Sequence, residues 1–235
     1  MSNAIKPSYP DNPTQRTPCM LVLDISHSMT RKHSGAAMSG IEELNQGLRV
    51  LHASLQDDTA ALSRVQLAIV TVGGSEKKAS LHMDWTDAAD FEPPTLVADG
   101  NTPLGEGMRL ALFHLDQHKL TLRRWGVPYT RPWIMVITDG EPTDADLVWR
   151  SVSRDCQDAE ARKRCIIYPI AVEGAKLDKL QQLSITPVKL LSAAKFGTYF
   201  RWLSASLSLA SQTTDGDPIV LDASLPWEAV APPRG

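Results

Sequence analysis

Two short apolar segments of this chain each run directly into an aspartate. Residues 19–23 (CMLVL) precede Asp24, and residues 133–138 (WIMVIT) precede Asp139. A continuous apolar run of this length is typical of a strand that is buried on both faces. Strands of that kind are covered by helices on both sides, so this feature favours a parallel sheet inside an α/β domain.

The segments around these two runs alternate between strand-like and helix-like patterns. Strands are predicted at residues 65–72, 81–85 and 165–172, and apolar residues recur at helical spacing in 39–56, 104–115 and 195–210. Another helix, with Val148, Val152, Cys156 and Ala159 facing inward, is predicted to start at Thr143, because Asp146 three residues later resembles a capping box. The order predicts a Rossmann-like fold, a mostly parallel central sheet with helices on both faces and one short antiparallel edge strand.

Length and charge narrow the classes of protein that this chain can represent. We expect a flexible arm at residues 1–17, one domain at 18–212 and a polar, proline-containing tail at 213–235 whose apolar pieces could dock on the body. A formal net charge of -3 gives no electrostatic reason to expect nucleic acid or an anionic membrane as partner. The chain shows no signal peptide and no apolar run long enough to cross a bilayer, which favours a soluble, cytoplasmic protein.

The three cysteines do not form a disulfide framework or a zinc-binding pattern. Cys19 lies in an apolar run, and Cys156 falls on a helical apolar stripe. We expect these to be small buried side chains without a catalytic role, together with the remaining Cys165. An unpaired set of thiols fits a reducing cytoplasm best.

The residues after the first predicted strand have the chemistry of a cation site. Asp24, Ser26 and Ser28 are spaced two apart, so their oxygens can face one way in an extended turn. In an open α/β sheet, ligands bind outside the carboxyl ends of the strands. Hydroxyl and carboxylate oxygens suit a hard cation such as Mg²⁺.

Two further loops are expected at the same edge of the sheet. Thr102 stands just before a predicted helix and offers a hydroxyl, and Asp139 follows a predicted strand and offers a carboxylate. Gly100 and Gly140 permit the backbone turns that these loops need.

The five oxygen-bearing residues, in this order, resemble the metal-ion-dependent adhesion site of von Willebrand factor A-type (vWA) domains. The resemblance implies that Ser26, Ser28 and Thr102 contact the metal directly, while Asp24 and Asp139 act largely through water. It implies Mg²⁺ as the metal, with Mn²⁺ or Ca²⁺ as alternatives. It also implies that an Asp or Glu from another protein completes the coordination, so that the domain binds a partner protein and is not an enzyme.

Longer motifs are similar to those of a bacterial subgroup, the TerY-like vWA proteins. The likeness to vWA domains spans roughly residues 18–210, and the subgroup motifs are LDISHSM, NTPLG and ITDGEPTD, with residues 41–48 fitting as well. This resemblance implies a cytoplasmic protein of a stress-response, tellurite-resistance or phage-defence system. It also implies a protein kinase and a PP2C-type phosphatase as partners.

One residue departs from the family pattern. His27 stands between the two serines, where the family usually has glycine. Because histidine must adopt an allowed backbone conformation, the metal loop could differ slightly from that of relatives. An exposed loop side chain is the expected outcome, and contact with a partner or a pH-sensitive neighbour of the site are the alternatives.

Other functions remain to be weighed against a binding module. A dehalogenase-type phosphotransferase would need an acid where Ser26 stands, and a serine hydrolase would need a nucleophile elbow that is missing. A metal-dependent phosphoester hydrolase stays open as an alternative, as does a metal-independent scaffold that uses the helix faces or the tail. The basic residues 31–33 follow the metal loop and could steer an acidic partner.

Overall fold

The computed structural model describes residues 14–32, 36–76, 78–191, 195–213 and 228–229, and the structural statements here concern those residues. They form strands and helices in the following order: β1 (Thr17–Ile25), α1 (Gly40–Gln56), α2 (Thr59–Arg64), β2 (Val65–Gly73), β3 (Lys78–Asp87), α3 (Leu104–Arg124), β4 (Trp133–Thr138), α4 (Asp146–Ala161), β5 (Ile166–Val172), α5 (Leu177–Gln181), β6 (Lys189–Leu191), α6 (Phe196–Ser211) and β7 (Glu228–Ala229). Short 3₁₀ segments occur at His27–Thr30 and Ala88–Asp90.

The strands form a single mixed sheet in the order β3-β2-β1-β4-β5-β6-β7. The pairs from β2 to β6 are parallel, and β3 and β7 add to the two edges in the antiparallel sense. The predicted α/β class, with its mostly parallel sheet and antiparallel edge strand, is confirmed. The edge strand β3 is longer than residues 81–85, and its side chains are mostly half-buried or exposed, as befits an edge.

The core consists of two apolar layers, one on each face of the sheet. Along β1, Leu21 and Leu23 belong to the layer that α1 and α6 cover, whereas Met20 and Val22 belong to the layer under α3 and α4. This alternation follows from the pleat of the strand, which points successive side chains to opposite faces. Because both faces are covered, all of β1 is buried up to its carboxyl end.

The start of α4 differs from the sequence-based prediction. The helix begins at Asp146 with Ala145 as its N-cap residue, so the capping box from Thr143 is wrong. The backbone N–H of Thr143 instead donates to the carbonyl of Thr102 in the loop before α3. Trp149 is buried in the core, whereas Val148 is only partly buried and contributes less than expected.

The short elements α2, α5, β6 and β7 had no counterpart in the sequence analysis. The apolar tail pieces at 219–221 and 225–227 lie outside the described residues, as does the predicted arm up to residue 13. Within the tail, the two residues of β7 pair with β6. No helix in the described part of the chain is long and apolar enough to span a membrane.

The three cysteines are buried, as predicted. Burial raises the pKa of the Cys165 thiol to about 12, and it raises the pKa of Cys19 and of Cys156 further still. All three thiols therefore stay protonated at neutral pH, which suits a packing role.

Candidate metal centre

The sheet topology brings the two strand-terminal aspartates to the same edge. β1 and β4 are neighbouring parallel strands, with Leu23 paired to Ile137. Asp24 follows the first of these residues in β1, and Asp139 comes directly after β4. Thr102 reaches the same edge from the loop that leads into α3.

A continuous set of hydrogen bonds joins four of the five predicted residues. The backbone N–H of Ser26 donates to Oδ1 of Asp24 at 2.8 Å, and the hydroxyl of Thr138 donates to the other oxygen of Asp24. The hydroxyl oxygens of Ser26 and Ser28 are 2.9 Å apart, and Ser28 Oγ donates to Oδ1 of Asp139 at 2.5 Å. The loop after β1 is thereby tied to the loop after β4.

The space above Gly140 shows where these oxygens converge. A Cβ atom built on this glycine would lie 3.0 Å from Thr102 Oγ1, 3.4 Å from Asp24 Oδ2 and 3.6 Å from Ser28 Oγ. Oxygens from two loops, the one after β1 and the one before α3, therefore converge on the β4 loop that carries Gly140. The structure brings all five predicted residues together there, Thr102 included.

The carboxylates of Asp24 and Asp139 bring negative charge to this point. Asp24 is fully buried, and its hydrogen bonds come from the neutral groups of Ser26 and Thr138. Burial raises the pKa of Asp24 to about 6, with a smaller contribution from the negative charge of Asp139, while the bonds from Ser26 and Thr138 act in the opposite direction. A cation between two neighbouring carboxylates would stabilise both of them in their charged form.

The donor set selects the class of cation. In the described ranges, no cluster of three or more His, Cys, Asp or Glu side chains is arranged to hold a metal. A cation here would depend on hydroxyl and carboxylate oxygens together. That combination fits hard ions such as Mg²⁺, Mn²⁺ or Ca²⁺ and disfavours zinc, which prefers nitrogen and sulfur.

Backbone contacts hold the β1 loop against the loop before α3. The N–H of His27 donates to the carbonyl of Gly100 at 2.9 Å, and the N–H of Asp99 donates to the carbonyl of Ile25 at 2.9 Å. Gly73 lies so close that an added Cβ would be 2.9 Å from the nitrogen of Ser26. These contacts fix the position of the β1 loop relative to the loop that carries Thr102.

His27 is accommodated without strain. Its side chain is exposed, and its φ lies outside the left-handed region that would require glycine. The residue belongs to the 3₁₀ segment whose Met29 is buried in the core. With histidine at this position the loop keeps an ordinary conformation, and the imidazole lies at the rim of the candidate site.

An open cleft of about 580 Å³ lies over the convergent oxygens. The cleft is lined by Ser26, Ser28, Thr102 and Asp139, and by charged residues from three loops, namely Arg31, Lys32, Glu141, Glu173 and Lys176. The site is thus accessible to a side chain of another protein rather than closed like a structural metal site.

Two contributors to the site were missed in the sequence analysis. Thr138 was placed at the end of the strand and within the motif around Asp139, but no contact with Asp24 was predicted for its hydroxyl. Gly174 approaches Asp139 so closely that a Cβ would lie 2.8 Å from its carbonyl oxygen, and no local pattern predicts that contact.

Comparison with known proteins gives likenesses in structure alone. No family model matches the chain, and no curated protein matches its sequence. Among solved structures, the VWA domain of SpRpn10 shares 14% identity at a TM-score of 0.53, over 77% of this chain and 93% of that one. The TFIIH p34 N-terminal domain shares 16% identity at a TM-score of 0.54, over 81% and 97%.

A third similar structure is a much larger protein. The pilus adhesin SpaC from Lactobacillus rhamnosus GG shares 12% identity at a TM-score of 0.63, and the match covers 83% of this chain but 31% of the adhesin. At such identities the likeness concerns the fold. The chain has the Rossmann-like vWA fold that its motifs led us to expect.

Proposed function

We propose that this chain is a metal-dependent protein–protein interaction module and not an enzyme. Asp24, Ser26, Ser28, Thr102 and Asp139 hold a divalent cation, with Mg²⁺ first and Mn²⁺ or Ca²⁺ as alternatives. The observation that carries the proposal is the convergence of oxygens from the β1 loop and the loop before α3 on Gly140 of the β4 loop, at the floor of an open cleft.

The residues divide their roles by charge. Following the vWA resemblance, the neutral hydroxyls of Ser26, Ser28 and Thr102 contact the cation, and the two carboxylates act through water. The bonds from Ser26 N and Thr138 hold Asp24 in place behind the hydroxyls. A cation held mainly by neutral oxygens keeps its attraction for a further anion. An Asp or Glu of the partner completes the coordination.

Basic residues on the cleft wall support an acidic partner. Arg31 and Lys32 are exposed and line the same cleft as Ser28 and Asp139. Charges at the rim of an interface raise the association rate more than they change the affinity. These two side chains therefore guide an acidic segment toward the cation.

The motifs shared with TerY-like proteins support a more specific setting. We propose a bacterial stress-response, tellurite-resistance-like or phage-defence system in the cytoplasm, in which a protein kinase and a PP2C-type phosphatase are partners. Identification of either enzyme by mass spectrometry in material co-purified with the chain would support this setting. If proteins co-purify in a metal-dependent way but include neither a protein kinase nor a PP2C-type phosphatase, this setting is contradicted.

The test is metal-dependent co-purification from lysate of the host. The tagged chain is incubated with Mg²⁺ or with EDTA, next to Thr102→Ala and the control Thr121→Ala. Thr121 lies near the far end of α3, the helix that Thr102 precedes. We expect a partner that is retained by the unmodified chain and the control with Mg²⁺, and lost with EDTA or in Thr102→Ala. A partner retained under every condition would move the binding site to the helix faces or the tail.

A turnover assay addresses the enzymatic alternative. The proposal expects no metal-dependent hydrolysis of phosphoesters by the purified chain. Hydrolysis that disappears in Asp139→Ala would contradict it and favour a metal-assisted hydrolase.

A further inference from the structure

Asp144 lies in the loop that follows β4, yet its side chain bonds to a different element. Its Oδ2 accepts a hydrogen bond from the backbone N–H of Gly105 at 2.8 Å, and its Oδ1 accepts one from the N–H of Glu106 at 3.0 Å. Both N–H groups belong to the first turn of α3. A single carboxylate thus caps this helix from a distant part of the chain.

The helix has no cap of its own. Its N-cap residue is Pro103, whose side chain makes no capping hydrogen bond. The first turn of any helix leaves N–H groups without partners inside the helix, and a carboxylate there is also favoured by the helix dipole. Gly105 makes room for it, since a Cβ at this position would lie 2.9 Å from Asp144 Oδ1.

A third hydrogen bond joins the same two segments, and it comes from the residue before Asp144. The backbone N–H of Thr143 donates to the carbonyl of Thr102 at 2.9 Å. Thr143 and Asp144 of the β4 loop therefore form hydrogen bonds on both sides of Pro103, to Thr102 and to the first turn of α3. The β4 loop is also the one that begins with Asp139.

We infer that Asp144 is a positioning residue for the metal centre. It sets the distance between Thr102 and Asp139 by docking the start of α3 onto the β4 loop. The inference rests on the proposed function, because it assigns to Asp144 the geometry of that same cation site. Mg²⁺ demands near-ideal octahedral coordination and tolerates little displacement of its ligands. Substitution of a residue that only orients metal ligands commonly lowers the metal affinity by roughly 10- to 100-fold.

A purely structural cap would behave differently from a positioning residue. Loss of a cap lowers thermal stability, but at temperatures far below unfolding it leaves the metal affinity unchanged. A positioning residue changes the affinity of the folded protein. Measurement of Mg²⁺ affinity at low temperature, beside the melting temperature, separates these roles.

The experiment compares the full chain with Asp144→Ala, Asp144→Asn and the control Asp146→Ala. Asp146 is an exposed aspartate two residues further on, in the first turn of α4. Mg²⁺ and Mn²⁺ affinities are measured by isothermal titration calorimetry, and amide hydrogen exchange of Gly105 and Glu106 is followed without metal. We expect at least a tenfold loss of affinity and faster exchange in Asp144→Ala, with the control unchanged. The affinity of Asp144→Asn should fall between those of the unmodified chain and Asp144→Ala, because its amide oxygen can replace one of the two acceptors.

The outcomes separate the inference from the proposed function. If the unmodified chain and Asp144→Ala bind Mg²⁺ equally well, the inference is overturned and the metal site stands. If the unmodified chain binds neither ion, the proposed function fails and takes the inference with it. If all three variants lose affinity alike, the effect is not specific to Asp144, and the inference is overturned.

Discussion

Gly140→Ala should weaken cation binding at the proposed site while leaving the fold in place. The added methyl group enters the volume on which the candidate ligands converge, 3.0 Å from Thr102 Oγ1 and 3.4 Å from Asp24 Oδ2. A contact of 3.0 Å is too tight for carbon and oxygen, so Thr102 must retreat by a few tenths of an ångström. The methyl group also occupies space that water and a cation would share.

The expected magnitudes differ for binding and for stability. The backbone of Gly140 lies outside the left-handed region, so alanine adopts it without strain. A tolerated glycine-to-alanine change restricts the unfolded chain and so stabilises the folded protein by about 0.4–1 kcal/mol. This gain offsets part of the destabilisation that the tight contact causes. We therefore expect stability to change by less than about 1 kcal/mol. Mg²⁺ affinity should fall by roughly tenfold or more, since the ion requires ligands at defined distances.

A second glycine provides the matched control. Gly126, just beyond the C-terminal end of α3, has φ of +67° and no neighbouring atom within 4 Å of a Cβ. Gly126→Ala should therefore lose about 1 kcal/mol of stability through its backbone conformation and keep its metal affinity. Calorimetric titration and urea unfolding of both variants form the assay. Unchanged Mg²⁺ affinity in Gly140→Ala would refute the placement of the cation above this glycine.

Three further changes test other parts of the structure. Glu160→Ala should lower the free energy of unfolding by about 3 kcal/mol in urea titrations, because its buried carboxylate accepts two backbone N–H groups and two hydroxyls; a loss below 1 kcal/mol would contradict this. Burial, with a contribution from Arg16, lowers the pKa of His118 to about 3, so the folded state resists protonation and stability falls as pH drops below the unfolded pKa of about 6.5. The free energy of unfolding that is lost through His118 between pH 7 and 5 is at most about 2 kcal/mol, so unfolding stability should depend less on pH in His118→Gln. An equally steep pH dependence in this variant would assign the effect to other groups. Arg31→Ser with Lys32→Ser should slow association with an acidic partner at low salt and change the dissociation rate little, as stopped-flow mixing would reveal; a faster dissociation alone would place these residues inside the interface.

The two strands that lead into the candidate site were predictable because their physical signal is local. β1 and β4 are buried on both faces, so each is a continuous apolar run, and each run ends beside an aspartate. The edge strand β3 was predicted too short, because exposure on an edge weakens the pattern that marks a strand. β6 has three residues and forms only through pairing with its neighbours, so it carries no pattern of its own.

The errors at the site come from contacts between distant segments. Thr143 and Asp146 have the spacing of a capping box, but Thr143 bonds to Thr102 and the neighbouring Asp144 caps α3. The local pattern could not show that a side chain of this loop serves another helix. For the same reason the contact between Thr138 and Asp24 became visible only once the two strands were paired. The five candidate ligands were recognisable because their spacing and order carry the resemblance.

Crystals grown with Mn²⁺ would test the central claim most directly, because manganese is located by its anomalous scattering. We predict one strong peak at the floor of the cleft, about 2.1 Å from the hydroxyl oxygens of Ser26, Ser28 and Thr102. A well-ordered structure with no peak at these residues, or with its peak elsewhere, would contradict the account.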